Sequence, residues 1–150
     1  MLKLLSIRNT RGREFFCMRM LLMPDPIVKC FWKEDADEYI STKNAFIGMV
    51  DVIRKTNCVA ILHDTSEAGI IIPALEEWII EVWIPLLGQS KLKYLINIST
   101  HDSFKEFLEN KAQKFKDYGI EILFLDTEFE AIKTLLYKGI SSSYYVEEKV

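Results

Sequence analysis

The sequence predicts a single α/β domain with a mostly parallel, mixed sheet of about five strands. Short apolar runs of strand length alternate along the chain with segments whose apolar residues recur at helical spacing, which gives the order β-β-α-β-α-β-α-β-α. Each strand-helix-strand unit must then cross over right-handed into a parallel neighbour. At 150 residues the chain suits one domain, with a core over about 13–138 and a loosely held, serine-rich tail over 139–150.

The first two predicted strands form an antiparallel hairpin. Apolar runs over 13–22 and 27–33 flank a turn that contains Pro24 and Pro26, each of which fixes its own φ. Residues 1–12 show no clear period and are predicted to be an arm or a short leading strand.

The first helix follows an acidic segment that we expect to be exposed. Ser41 is predicted to cap this helix and Asn57 to end it. Its core-facing stripe is predicted to be Phe46, Met49, Val50 and Ile53.

The centre of the chain, over 58–88, is a strand, a polar turn and a long apolar helix. The apolar run CVAIL is typical of a strand covered on both faces, Pro73 suits the first turn of a helix, and Gly88 is predicted to be a left-handed stop. The predicted core stripe of the helix is Leu75, Trp78, Ile79, Val82, Trp83 and Leu86. Ile80, Ile84 and Leu87 lie off that stripe, so the helix is either buried on two sides or offers a contact surface.

The two tryptophans of this helix, Trp78 and Trp83, are separated by roughly 140° of rotation. They therefore cannot point the same way, and we expect one in the core and the other at a rim or a pocket wall.

The strand over 92–99 has one drier face. Lys93, Leu95, Asn97 and Ser99 form its mixed face, which favours helices packed mainly on one side of the sheet. The next helix is predicted to end at Gly119 and to lead into a strand over 120–125. The last helix is predicted to be capped by Asp126 or Thr127 and to end at Gly139.

Composition limits the class of protein. A net charge of -3 gives no electrostatic reason to expect nucleic acid. The opening MLKLLSI is too short for a secretory signal, and no run approaches the roughly 20 apolar residues of a membrane span, so we expect a cytoplasmic protein without membrane insertion. Cys17, Cys30 and Cys58 lie in apolar segments without C-x-x-C spacing, which predicts buried reduced thiols rather than disulfides or zinc ligands.

Polar residues follow the predicted parallel strands. They are His63, Asp64, His101, Asp102 and Asp126. Because ligands of open α/β sheets collect at the carboxyl ends of strands, these side chains could share one rim and hold a metal or act as a general base. The structural alternative is that the acidic residues cap the following helices. No cofactor is predicted, and no catalytic residue is assigned.

The order of elements resembles the STAS or SpoIIAA-like family, and in particular its stand-alone members. The residues that carry the resemblance are the turn DTS at 64–66, the strand LKYLINIS, and Glu76, Glu77, Trp78, Trp83 and Pro85. The resemblance implies a β-α superhelix with sequential strands and helices on one face, and a role in binding. It also implies Ser66, or less well Thr65, as a phosphorylation site, although Glu67 and Ala68 stand where the family pattern has Gly and the helix start.

Two functions are therefore expected. The first is a non-enzymatic STAS-like regulatory or scaffolding domain that binds a protein partner, such as a kinase or an anti-sigma-type regulator, through the turn at 64–72 and the adjoining helix. The alternative is a small-molecule, lipid or metal-binding protein, or a small enzyme, that uses the strand-end rim. The apolar helix and the mixed sheet face of Lys93, Leu95 and Asn97 also predict a homodimer, which buries part of the 73–88 helix or the uncovered sheet face. Its candidate interface is Trp78, Ile80, Trp83, Ile84 and Leu87.

Overall fold

A computed structural model of the protein describes residues 2–33, 39–67, 73–98, 103–140 and 142–145. The strands are β1 (Leu2–Arg8), β2 (Glu14–Pro24), β3 (Ile27–Trp32), β4 (Ala60–Asp64), β5 (Tyr94–Ile98), β6 (Glu121–Leu125) and β7 (Ser142–Tyr145). The helices are α1 (Tyr39–Thr56), α2 (Pro73–Trp78), α3 (Ile84–Gly88), α4 (Ser103–Asp117) and α5 (Glu128–Tyr137). A π-helical turn over Ile79–Trp83 joins α2 to α3.

The sheet is mixed, and its first six strands lie in sequential order. β1, β2 and β3 pair antiparallel, whereas β3, β4, β5 and β6 pair parallel. The α/β class and the hairpin are thus confirmed. The predicted number of strands was too low, because 2–8 form a complete strand and β7, within the segment predicted to be a loose tail, pairs with the end of β2.

Helices cover the two faces of the sheet unequally. The larger core lies between one face and α1, α2, α3 and α4, with Phe46, Trp83 and Phe115 among its fully buried side chains. The smaller core lies on the other face, where Ala131 and Leu135 of α5 pack. Helices are therefore mainly on one face, as expected, with α5 on the opposite side.

The mixed face of β5 is not the uncovered one. Leu95 and Asn97 are both fully buried, and Leu95 belongs to the larger core beneath the helical layer. The expectation that polar residues on this strand mark an open sheet face was wrong at these positions. The charged, partly exposed positions of the sheet lie instead on β2 and β3, on the side that faces away from α1.

The π-helical turn changes which side chains of the 73–88 segment face the core. The backbone N–H of Ile84 bonds to the carbonyl of Ile79, so the turn is wider than an α-turn and rotates the residues that follow. Ile84 and Leu87 are consequently fully buried, whereas Val82 is 39% exposed. The predicted stripe was wrong at Val82, and the burial of Ile84 and Leu87 agrees with the alternative in which the segment is buried on two sides. Trp83 is buried and Trp78 partly exposed, which confirms the expected division between the tryptophans.

Most of the predicted helix ends are confirmed. Asn57, Gly119 and Gly139 have positive φ angles, and Thr127 caps α5 by accepting a hydrogen bond from the backbone N–H of Glu130 at 3.1 Å.

The roles of Ser41 and Gly88 differ from those predicted. Ser41 lies inside α1, which starts at Tyr39. Gly88 ends α3 without a positive φ, and a Cβ atom at this position would lie only 2.6 Å from Tyr118 Cδ1. Close packing, rather than a left-handed turn, therefore requires this glycine.

Candidate functional site at the carboxyl ends of β4 and β5

His63 and Asp64, the two central residues of the predicted rim, point to opposite faces of the sheet. They are the last two residues of β4, and successive side chains of a strand alternate between faces. His63 is fully buried beneath the helical layer, whereas Asp64 faces the side of α5. The structure therefore does not bring them together as a base and its orienter.

A chain of hydrogen bonds crosses three strands through His63. Nε1 of Trp32 in β3 donates to Nε2 of His63 at 2.8 Å, and Nδ1 of His63 lies 3.3 Å from Oδ1 of Asn97 in β5. Because an indole N–H only donates, Nε2 must be the acceptor and Nδ1 must carry the proton. The bonds thus assign a neutral tautomer of His63 that donates to Asn97.

Asn97 lies at the end of this chain of hydrogen bonds, and its side-chain amide offers both an acceptor and a donor. Its Oδ1 also accepts a hydrogen bond from the hydroxyl of Thr65 at 3.3 Å. Its Nδ2 is buried and has no hydrogen-bond partner in the part of the chain that the structure describes. A buried donor without a partner costs about 1–3 kcal/mol, so this amide favours an acceptor group at the end of β5.

The turn after β4 is held by Asp64. Oδ1 of Asp64 accepts hydrogen bonds from the backbone N–H of Ser66 at 3.0 Å and from its hydroxyl at 2.6 Å, the geometry of an Asx turn. Oδ2 lies 3.7 Å from Nζ of Lys29, which also pairs with Glu128 at 3.0 Å. Ser66 is exposed, whereas Thr65 is fully buried. Of the two predicted phosphorylation sites, only Ser66 is accessible.

Of the other predicted rim residues, the structure describes only Asp126. His101 and Asp102 lie outside the described residues, and Asp126 is exposed after β6. Within the described ranges, no group of three or more His, Cys, Asp or Glu is placed to hold a metal ion.

The candidate interface on the 73–88 segment is largely internal. Trp83, Ile84 and Leu87 are buried in the core. Trp78 and Ile80 are only partly buried, and Nζ of Lys43 lies 5.1 Å above the ring of Trp78. These two side chains are the members of the candidate interface that retain accessible surface.

All three cysteines are buried as free thiols, as the sequence predicts. Burial raises the pKa of Cys58 to about 12 and raises the pKa of Cys30 well above its usual range. Because the thiolate is the nucleophile, these two thiols are poorly suited to covalent catalysis.

Sequence reasoning missed Trp32 and Asn97 as partners of His63. The available signal was Asn97 itself, an amide in an otherwise apolar strand. Its pairing with His63 depends on the register between β4 and β5, which no local pattern specifies.

Comparisons with protein-family models, with curated proteins and with solved structures found no match to this chain. The STAS-like assignment therefore stays a prediction based on the residues quoted above. Among the described helices, none is long and apolar enough to cross a membrane.

Proposed function

We propose that the protein is a non-enzymatic STAS-like regulatory or scaffolding domain, and that it binds a partner protein through the turn after β4 and the adjoining helical segment. The observation that carries the proposal is the exposed hydroxyl of Ser66, held by Asp64 directly after a fully buried strand. The sequential order of β3 to β6, with most helices on one face, agrees with what the resemblance implies.

Phosphorylation of Ser66 would act by opening this turn. A phosphate removes the hydroxyl donor and adds about -1.5 to -2 charges beside Asp64 and Glu67. The nearest cation to Asp64 is Lys29, which already pairs with Asp64 and Glu128. Among the described residues only this lysine pairs with Asp64, so the added charge opposes the contact between Asp64 and Ser66, and the unmodified protein is the form that keeps it.

The test measures binding of the full chain to kinases and anti-sigma-type regulators encoded beside it, by titration calorimetry. Ser66→Asp should weaken the partner's affinity at least about tenfold, which corresponds to 1.4 kcal/mol, while Ser66→Ala retains it. Asn110→Asp, on the exposed side of α4, adds a charge at a distant site and should change nothing. Equal binding by all variants would contradict the proposal, as would phosphate mapping that finds Ser66 unmodified by the partner kinase.

A second candidate function is binding of a small molecule at the ends of β4 and β5. The specific observation is the buried Nδ2 of Asn97, which lacks an acceptor in the described structure. A screen of nucleotides and lipids, whose oxygen atoms can accept this hydrogen bond, should then yield a ligand whose binding is lost in Asn97→Leu. A ligand that binds this variant unchanged would exclude the site.

The dimer is proposed on the accessible part of the helical segment. Trp78, Ile80 and Val82 expose apolar surface there. Sedimentation equilibrium should show a dimer that dissociates in Ile80→Glu and Val82→Glu. Leu136→Glu, at a 45% exposed position of α5, is the matched control. A monomer at high micromolar concentration would refute the dimer. A dimer that dissociates only in Leu136→Glu would refute this location.

A further inference from the structure

The antiparallel side of the sheet carries a charged cleft of about 240 Å³ on the face turned away from α1. Its lining residues come from β2, β3 and the residue after β3. They are Glu14, Cys17, Arg19, Lys29, Phe31 and Lys33. The cleft lies on the opposite face of the sheet from the buried chain of Trp32, His63 and Asn97.

Three cations stand side by side across the strands at this cleft. Arg19 of β2 is the direct partner of Lys3 in β1 and of Lys29 in β3. Directly opposed residues of neighbouring strands place their side chains on the same face, and like charges in such pairs repel each other. A row of three cations therefore needs compensating negative charge.

The two outer cations obtain that charge from the protein. Lys3 pairs with Glu14 at 2.6 Å, and Lys29 pairs with Glu128 at 3.0 Å. Hydrogen bonds from Lys3, Ser6 and Lys33 lower the pKa of Glu14 to about 2, so the carboxylate of the cleft is ionised and already engaged.

The central cation, Arg19, does not obtain it from the residues that the structure describes. Arg19 forms no ion pair with any residue that the structure describes, and its Nε atom is buried without a hydrogen-bond partner. A guanidinium group is a planar fork of donors that matches the oxygens of a carboxylate or a phosphate. Arg19 is thus placed to receive an oxyanion from outside the protein.

We propose that this cleft binds a small phosphate monoester, with Arg19 holding the phosphate oxygens and the organic group lying against Phe31. Lys33 pairs with Glu14 in the lining, and Lys29 pairs with Asp64 and Glu128 outside it, so the uncompensated charge of the cleft is that of Arg19. A phosphate supplies both the negative charge and the acceptor oxygens that this guanidinium group matches. The volume exceeds that of a phosphate group but is smaller than typical drug-sized pockets, which favours a compact ligand. This site is independent of the proposed role of Ser66, and either proposal can fail alone.

The test is a titration of the full chain with phenyl phosphate at low ionic strength, followed by calorimetry and by the shift of the unfolding temperature. Saturable binding should weaken at least about tenfold in Arg19→Gln and remain unchanged in Arg11→Gln, an exposed loop arginine. Phenyl phosphate should raise the unfolding temperature of the native chain but not that of Arg19→Gln. Because removing Arg19 relieves charge repulsion, this variant should fold, and circular dichroism checks that it does.

Two further probes identify the source of the anion. Inorganic phosphate that binds as tightly as phenyl phosphate supports the site and assigns it to the free ion. Benzoate that binds more tightly than phenyl phosphate overturns the assignment to phosphate. The proposal is also overturned by equal losses in Arg19→Gln and Arg11→Gln, or by the absence of saturation at about 10 mM ligand.

Discussion

The hydrogen bond between Trp32 and His63 should be visible as a coupling energy between the two side chains. Both residues are essentially fully buried, and the N···N distance is 2.8 Å. His63→Leu removes the acceptor of the indole N–H and the donor to Asn97, so we expect a loss of about 2–3 kcal/mol in the free energy of unfolding. Trp32→Phe removes the donor and leaves a small void beside Phe16 and Phe46, whose rings lie 4.5 Å and 5.2 Å from the indole, for a similar loss.

The double variant removes both partners of the bond. Its loss should therefore be smaller than the sum of the single losses by about 1–2 kcal/mol, since neither a bare donor nor a bare acceptor remains at this contact. Urea denaturation of the four proteins measures this cycle. The control pairs His63→Leu with Trp83→Phe, because Trp83 Nε1 donates to the carbonyl of Phe46 at 2.9 Å instead. Additivity within about 0.5 kcal/mol in the first cycle would refute the inferred bond.

Three other predictions follow from local contacts. Because the pKa of Glu14 falls from 4.5 to about 2 on folding, its stabilisation is present above pH 4.5 and lost towards pH 2. The stability difference between the native chain and Glu14→Gln, about 1–2 kcal/mol at pH 6 after solvent screening, should shrink in urea denaturation at pH 3. Iodoacetamide at pH 8 should leave Cys30 and Cys58 unmodified by mass spectrometry until the chain unfolds, and rapid labelling would show the core to be open. Gly88→Ala should cost about 1–3 kcal/mol because its Cβ meets Tyr118, and Tyr118→Ala should relieve that cost in thermal denaturation; an equal cost in both backgrounds would point to another cause.

Local sequence patterns predict the parallel strands β4, β5 and β6 and the helices between them. They do not predict β1, β7 or the π-helical turn. Each of β4, β5 and β6 is an apolar run that ends at polar residues, and the helices between them have periodic stripes and recognisable ends. In β1 the alternation is broken by register shifts near Leu5 and Arg8, so no regular period is visible. β7 exists only through its long-range pairing with β2, and the π-helical turn cannot be distinguished from an α-helix by apolar spacing alone.

The candidate sites depend even more on pairing between distant segments. His63 follows an apolar run and precedes Asp64, which made both residues candidates for one rim, but strand alternation separates them. The partner of His63 in β5 is set by the sheet register, and so are the neighbours of Arg19. A cation that looks solvated in the sequence becomes a candidate ligand-binding group only when three strands are assembled.

The charge repulsion among Lys3, Arg19 and Lys29 can be tested without any ligand. Arg19 has like-charged neighbours on both sides and no ion pair with a described residue, so Arg19→Gln should raise the free energy of unfolding by a few tenths to about 1 kcal/mol. Lys29→Gln relieves the same repulsion but leaves Asp64 and Glu128 without their shared cation, so it should be neutral or destabilising by up to about 1 kcal/mol. Urea denaturation at low and high salt measures both, and the gain in Arg19→Gln should fade as salt screens the row. If Arg19→Gln instead lowered the free energy of unfolding, Arg19 would have to be paired within the fold, and the cleft would lose its unpaired cation.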